Sequence, residues 1–235
     1  MKPAITLLIA LALAGTAAPQ QSSPIAFARG ASCATLAGTV RGREHRDYTV
    51  RAAAGQRLRV TMNTRSGSAY FNVMPPGSDG FAVFVGSTSG YPYDGLLDRG
   101  GPWTIRVYQM RNAGLRGAVA NYRLTVAVTG RPAAPRPYDA QVPGTGYNAT
   151  APIDCRIGIN APMRRCEAGV RRLGNGNAVV EITTGPGSLR RIEFRDGLPV
   201  SSNIGPVEAS KGGDMFFVNI GGEMYRIPDV LITGG

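Results

Sequence analysis

Imidazole is nearly missing from this sequence. His45 is the one histidine in 235 residues, which excludes multi-histidine metal centres and most acid–base machinery, so neither a metal nor a cofactor is expected. Lysine is almost as scarce. Of 26 Lys+Arg only Lys2 and Lys211 are lysines, leaving 24 arginines, whose charge no physiological pH removes. Acids number 15, so the net charge is +11. No apolar stretch reaches the roughly 20 residues that span a bilayer. Phosphate loops, dinucleotide fingerprints and paired metal-ligand motifs are absent as well. Gly86-Ser87-Thr88-Ser89-Gly90 carries threonine where a nucleophile elbow needs its central nucleophile, and no helical pattern follows, so it reads as a loop between strands. Asp94 and Asp98 sit beside a Gly-Gly-Pro turn with nothing that marks a cleft, and read as solvated loop carboxylates rather than a glycosidase pair. No catalytic residue is identified, and the chain is expected not to be an enzyme.

What is present can build a core. With 43% hydrophobic against 17% charged residues, wholesale disorder and fibrous architectures are excluded. Lys2, the apolar run Ile5 to Ala14 and the small residues Gly15-Thr16-Ala17-Ala18 form a signal-peptide pattern over residues 1–18. The mature chain is therefore expected in the periplasm or secreted, without a transmembrane segment. Export permits disulfides. Cys155 and Cys166 lie eleven positions apart and are expected to pair, which leaves Cys33 as a buried free thiol or half of an intermolecular bridge.

Pro132, Pro135, Pro137, Pro143 and Pro152, with Gly144 and Gly146, mark residues 131–152 as a linker. It separates a first domain, 26–130, from a second, 153–235, each large enough to fold alone. The first carries 13 Arg against five acids, 13 − 5 = +8, and the second nine Arg and Lys211 against nine acids, 10 − 9 = +1. The basic character is local.

Both domains read as all-β. Alternation in Tyr48-Val50, Leu58-Val60-Met62, Phe71-Val73, Trp103-Ile105-Val107 and Tyr122-Leu124-Val126-Val128 predicts strands with one face in a core. Turn signals at Gly55, Pro75-Pro76-Gly77, Gly90 and Gly100-Gly101-Pro102 separate them, as in an antiparallel sandwich or jelly roll. The second domain is a small β-rich one of unassigned role. Its hairpin signals are Gly174-Asn175-Gly176-Asn177, Asp196-Gly197 and Gly221-Gly222. Phe217, Ile220, Tyr225 and Ile227 read as its core.

One succession in the first domain is specific. Tyr70-Phe71-Asn72-Val73-Met74-Pro75-Pro76-Gly77, Phe84 to Gly90, Trp103-Thr104-Ile105-Arg106-Val107-Tyr108-Gln109-Met110-Arg111-Asn112-Ala113, then Arg116 and Ala120-Asn121-Tyr122, resembles the periplasmic inhibitors of g-type (goose-type) lysozyme over about residues 36–128. The resemblance implies a β-sandwich, g-type lysozyme as partner, and a loop that enters the enzyme's cleft. Arg111 matches the family's Met-Arg position. The family tends to end this loop on two adjacent basic residues, whereas here the pair is Leu115-Arg116. Tyr48, Tyr70, Ser87, Ser89 and Asn121 are candidates for the same surface. Four of them have plainer alternatives: Tyr48 as core, Asn121 as satisfying a loop backbone, and the two serines as forming a turn.

The +8 charge also suits polyanions. The export signal and the lack of aromatics interleaved with arginine argue against nucleic acid. The rival reading is an envelope-associated adhesive module that binds carbohydrate or an anionic surface, with Tyr91, Tyr93 and Trp103 as sugar-stacking rings, although Trp103 alternates with Ile105 and Val107 as a core residue would.

Overall fold

A computed structural model describes residues 22–78, 80–134 and 139–234. The expected signal peptide, and Pro135 and Pro137 of the expected linker, lie outside the described residues. The first unit contains β1 (Ser22–Pro24), β2 (Cys33–Arg41), β3 (His45–Ala52), β4 (Arg57–Thr64), β5 (Ala69–Met74), β6 (Phe84–Val85), α1 (Gly86–Ser89), β7 (Tyr93–Leu96), β8 (Gly101–Gln109), α2 (Arg111–Leu115) and β9 (Val119–Thr129). They form two sheets, β1-β3-β8-β5-β6 and β2-β9-β4-β7, antiparallel except for the short β1–β3 pair. Alternation explains the sandwich. Trp103, Ile105 and Val107 from one sheet share a core with Leu58, Val60, Leu124 and Val126 from the other.

The Gly86–Gly90 segment is a helical turn rather than a plain loop. The Gly90 N–H donates to Gly86 O, and a Cβ on Gly86 would lie 2.5 Å from the Phe71 carbonyl oxygen, so only glycine lets the turn pack this closely. Cys33 opens β2 as an exposed free thiol.

The second unit contains β10 (Ala149–Arg156), β11 (Arg164–Gly174), β12 (Asn177–Gly185), β13 (Ser188–Arg195), β14 (Leu198–Ser202), β15 (Glu208–Gly212), β16 (Met215–Ile220), β17 (Glu223–Pro228) and α3 (Asp229–Thr233). One sheet runs β14-β13-β12-β11-β10-β17-β16-β15. Four strands lie between β13 and β16, yet Phe194 and Phe216 meet ring to ring at 5.4 Å, so the sheet curls around its core. Asn175-Gly176, Asp196-Gly197 and Gly221-Gly222 all have positive φ, the backbone that tight two-residue hairpins require. Ile220, Tyr225 and Ile227 are core. Phe217 is half-exposed instead, turned outward beneath Arg226 at 5.9 Å. Cys155 and Cys166 form a disulfide between β10 and β11. β10 starts inside the expected linker, and described residues before it are bonded to the two units: Ala133 N–H donates to Ala54 O at 2.7 Å and Asn148 Oδ1 accepts from Arg172 N–H at 2.8 Å.

The two units meet through buried charge, which corrects the reading of Asp98 as solvated. Its side chain is 0% exposed and pairs with Arg99, Arg171 and Arg191 at 2.8, 3.1 and 3.1 Å. Glu181 takes the same three guanidiniums at 3.1, 2.6 and 3.4 Å. Tyr147 donates its hydroxyl to Glu181 at 2.8 Å and lies 4.0 Å beneath the Arg171 guanidinium. Asp94 belongs to β7 and pairs with Arg57 at 2.8 Å. The β7 edge is capped from β13: Leu96 N–H donates to Glu193 at 2.9 Å, and Arg191 donates to Leu96 O at 2.6 Å. An exposed strand edge is thereby hidden.

Burial alone would raise the Asp98 pKa, but Arg191, Arg99 and Arg171 hold it below the usual carboxylate range. Its stabilising contribution is therefore complete above a carboxylate's ordinary pKa of about 3.9 and is lost only as pH falls through the lower folded value. Asp98→Asn should cost about 3–5 kcal/mol in urea unfolding at neutral pH, because it strands buried guanidiniums. The gap between wild type and variant should stay constant from about pH 7 to 5 and narrow below about 4. Separately, replacing Cys155 and Cys166 with alanine should cost about 2–4 kcal/mol in the same assay.

Candidate functional site

Gln109 roots the end of the sandwich that carries the candidate loop. Trp103, Ile105 and Val107 point inward at every second position of β8, and Gln109 continues that row as a buried polar residue. Its side-chain amide donates to Ala118 O at 2.6 Å and Val40 O at 3.3 Å. Ser68 O accepts from the next backbone N–H, that of Met110, at 2.8 Å. β2, β5, β8 and β9 are thus cross-linked at one end. The signal was present in the sequence as an amide in an apolar row, and the reading passed over it.

Beyond Gln109 the chain forms the single helical turn α2 rather than an open loop. Ala113 and Gly114 face the sandwich, while Arg111, Asn112, Leu115 and Arg116 are exposed. Gly114 has to be glycine, since a Cβ there would lie 2.9 Å from Gly42 O. Arg111 and Leu115 are one turn apart on the solvent side, and Arg116 follows at the cap. The described residues offer neither guanidinium an ion pair. Arg43, whose Cγ would lie 3.4 Å from a Gly114 Cβ, and Arg41 share the adjoining β2–β3 turn and are exposed. Against this stand the exposed Glu44 and a buried Asp47 already held by Arg106 at 2.8 and 2.7 Å. The end presents uncompensated positive charge.

The remaining candidates separate. Tyr70 stands opposite Tyr108 on the outer face of its sheet, with ring centroids 6.4 Å apart and Tyr91 at 6.2 Å. Tyr108 donates to Ser87 Oγ at 3.1 Å, so Tyr70 and Ser87 join through a residue the sequence reading did not select. Asn121 lies on the outer face of the other sheet and accepts from the Thr39 hydroxyl at 2.6 Å. Tyr48 does not belong to the surface. It is 7% exposed, its hydroxyl meets that of Tyr122 at 2.8 Å, and both hydroxyls fit only because Gly38 lacks a side chain. Burial and the bond to Tyr48 push the Tyr122 hydroxyl pKa up. Ser89 points elsewhere too, donating to Asn203 O of the second unit at 3.4 Å.

The sugar-stacking rings do not assemble. Trp103 is fully buried and donates its indole N–H to Arg99 O at 3.1 Å, Tyr93 is buried, and Tyr91 alone of the three is exposed. Among the described residues no cluster of three or more His, Cys, Asp or Glu could hold a metal ion, and no helix is long and apolar enough to cross a membrane.

Among the solved structures that match part of this chain are three of the same kind. The periplasmic inhibitor of g-type lysozyme PliG from Aeromonas hydrophila is 34% identical, with 46% of this chain and 96% of that one covered and a TM-score of 0.43. A PliG mutant from Escherichia coli is 22% identical over 46% and 97%, TM-score 0.37. PliG from Salmonella Typhimurium is 19% identical over 46% and 98%, TM-score 0.37. No protein-family model and no curated protein matches.

Gln109→Leu should cost about 1–3 kcal/mol in urea unfolding, since it removes the buried amide that bonds to the Val40 and Ala118 carbonyls. It should also speed amide hydrogen exchange at Met110 and Ala118 more than in the second unit. Uniform acceleration would show that Gln109 does not brace this end.

Proposed function

We propose, on the premise that the first unit belongs to the family of periplasmic inhibitors of g-type lysozyme, that this chain is an exported, non-enzymatic protein that binds g-type lysozyme and blocks its cleft with the Arg111–Arg116 segment. The observation that carries the reading is the α2 turn: a rigidly rooted projection whose two outward guanidiniums have no ion-pair partner among the described residues. A glycosidase cleft carries carboxylates. Planar guanidinium binds a carboxylate through charge-assisted, often bidentate bonds, and an opposite-charge contact near 4 Å is worth about 4 kcal/mol before desolvation at an effective dielectric near 20.

The departure at Leu115 has a local answer. Leu115 is 61% exposed and supplies an apolar contact, while Arg43 beside Gly114 places a further guanidinium near the helix from another segment. Tyr70 and Asn121 on the sheets, and Ser87 on α1, are further contributors to the contact surface. Tyr48 acts through the core.

Arg111→Ala should weaken inhibition of purified g-type lysozyme on the order of a hundredfold (~3 kcal/mol) while leaving thermal stability unchanged. Unchanged inhibition would remove the Arg-loop mechanism. Inactivity of the wild-type chain against the enzyme would remove the inhibitor reading itself. The second reading, an anionic envelope surface as partner, draws on the same unpaired arginines. It is distinguished by binding to acidic envelope polysaccharide that collapses as salt rises.

A further inference from the structure

Two grooves lie side by side on the sandwich and share the start of the β4–β5 connection. One, of about 430 Å³, lies against the Tyr70 and Tyr91 rings, and the other, of about 600 Å³, against Arg65 and Arg123. Asn63, Thr64 and Ser66 line both, so the grooves join into a track. Each falls within the ~300–1,000 Å³ range of small-molecule sites. The shared wall is held in shape: Ser66 N–H donates to Thr64 Oγ1 at 3.1 Å, Ser68 N–H to Ser66 Oγ at 3.3 Å, and the Thr64 hydroxyl to Asn121 O at 2.8 Å. On the aromatic side the hydroxyls are spent on carbonyls. Tyr70 donates to Gly67 O at 3.1 Å and Tyr91 to Ala69 O at 2.7 Å, which fixes the two rings with centroids 6.2 Å apart and leaves apolar ring surface as what they offer. Tyr91 is 39% exposed. On the basic side Arg123 stands exposed on β9 between Asn63 of β4 and Ala37 of β2. Neither Arg65 nor Arg123 has an ion-pair partner among the described residues, and no acid lines either groove. Asn63 keeps its side-chain amide unspent among the described residues, and Asn121 spends only its oxygen, on Thr39.

We propose that the joined grooves bind an acidic polysaccharide, a chain whose sugars carry carboxylates. Carboxylates meet the two unpaired guanidiniums through charge-assisted bonds. Sugar hydroxyls both donate and accept, which suits the side-chain amides of Asn63 and Asn121 between the charged and aromatic ends. The apolar face of a sugar ring suits the fixed rings of Tyr70 and Tyr91. A neutral glycan would leave both guanidiniums without a counter-charge, and an acidic peptide would supply carboxylates without the run of hydroxyls. Single-stranded nucleic acid combines anions with stacking surfaces as well, and the signal-peptide pattern of residues 1–18 favours the polysaccharide. The inference rests on the second reading above, an anionic envelope partner, and gives it a place away from α2, since Arg111 and Arg116 line neither groove.

The test titrates polygalacturonate, in which every sugar carries a carboxylate, into the full chain by calorimetry at about 50 mM salt, where exposed charges are weakly screened. Binding should be saturable, and the fully methyl-esterified polymer should bind about tenfold more weakly. Arg65→Ala and Arg123→Ala together should weaken binding about tenfold, and Tyr70→Leu alone about threefold. Arg29→Ala, which removes an exposed arginine outside both grooves, should leave it unchanged. Circular dichroism melts verify that each variant is folded. No binding of polygalacturonate would overturn the proposal together with the second reading. Binding that is lost in Arg111→Ala with Arg116→Ala but kept in the groove variants would overturn the groove alone and leave the second reading standing. A single-stranded oligonucleotide bound more tightly than polygalacturonate would overturn the ligand class.

Discussion

Buried charge that cannot be left unpaired governs how this chain is put together. Asp98 comes from the first unit, Glu181 from the second, and Arg99, Arg171 and Arg191 from both sides. Three guanidiniums thus face two carboxylates, and Glu193 stands at the edge of the cluster, accepting from Leu96 N–H with Arg57 at 3.9 Å. Each would be costly alone in an apolar surround, and the pairs across the seam persist only while the units keep their relative placement. The cluster is therefore an orientation device more than a source of net stability. It also closes the sandwich's β7 edge, which would otherwise offer unpaired N–H and C=O groups to any passing strand.

From that join the geometry runs outward. β8 starts next to the buried cluster and ends at Gln109, so its nine residues hold the arginine-bearing turn at roughly 30 Å from the seam. The second unit can dock on one end of the sandwich without covering the other. The positive charge of the first unit divides accordingly. Arg57, Arg99 and Arg106 are consumed in pairs, while Arg41, Arg43, Arg111 and Arg116 are left at the far end. Under the proposed inhibitor reading, a cationic target enzyme would give no long-range attraction, and recognition would depend on short-range guanidinium–carboxylate contacts.

Features with a local cause were legible in the sequence. Period-2 rows such as Trp103-Ile105-Val107 gave the strands, and Asn175-Gly176, Asp196-Gly197 and Gly221-Gly222 gave the hairpins because positive φ selects those residues. Features caused by a distant partner were not. β2 escaped because Ala34, Leu36, Gly38 and Val40 make a weak apolar row, Gly38 being small to admit Tyr48 and Tyr122. Asp98 looked like a loop acid because its partners at 171 and 191 leave no mark near position 98. Tyr48 looked like a contact because nothing local reveals that its hydroxyl meets Tyr122. The Arg111–Arg116 projection was visible as a segment, but its helical form depends on Gly114 closing against Gly42, which is also non-local.

Differential scanning calorimetry of the full chain at neutral pH tests the central claim, that the buried ionic seam makes the two units one cooperative body. The account predicts one transition, with calorimetric and van't Hoff enthalpies equal. Two resolved transitions, one for the sandwich and one for the curled sheet, would contradict it.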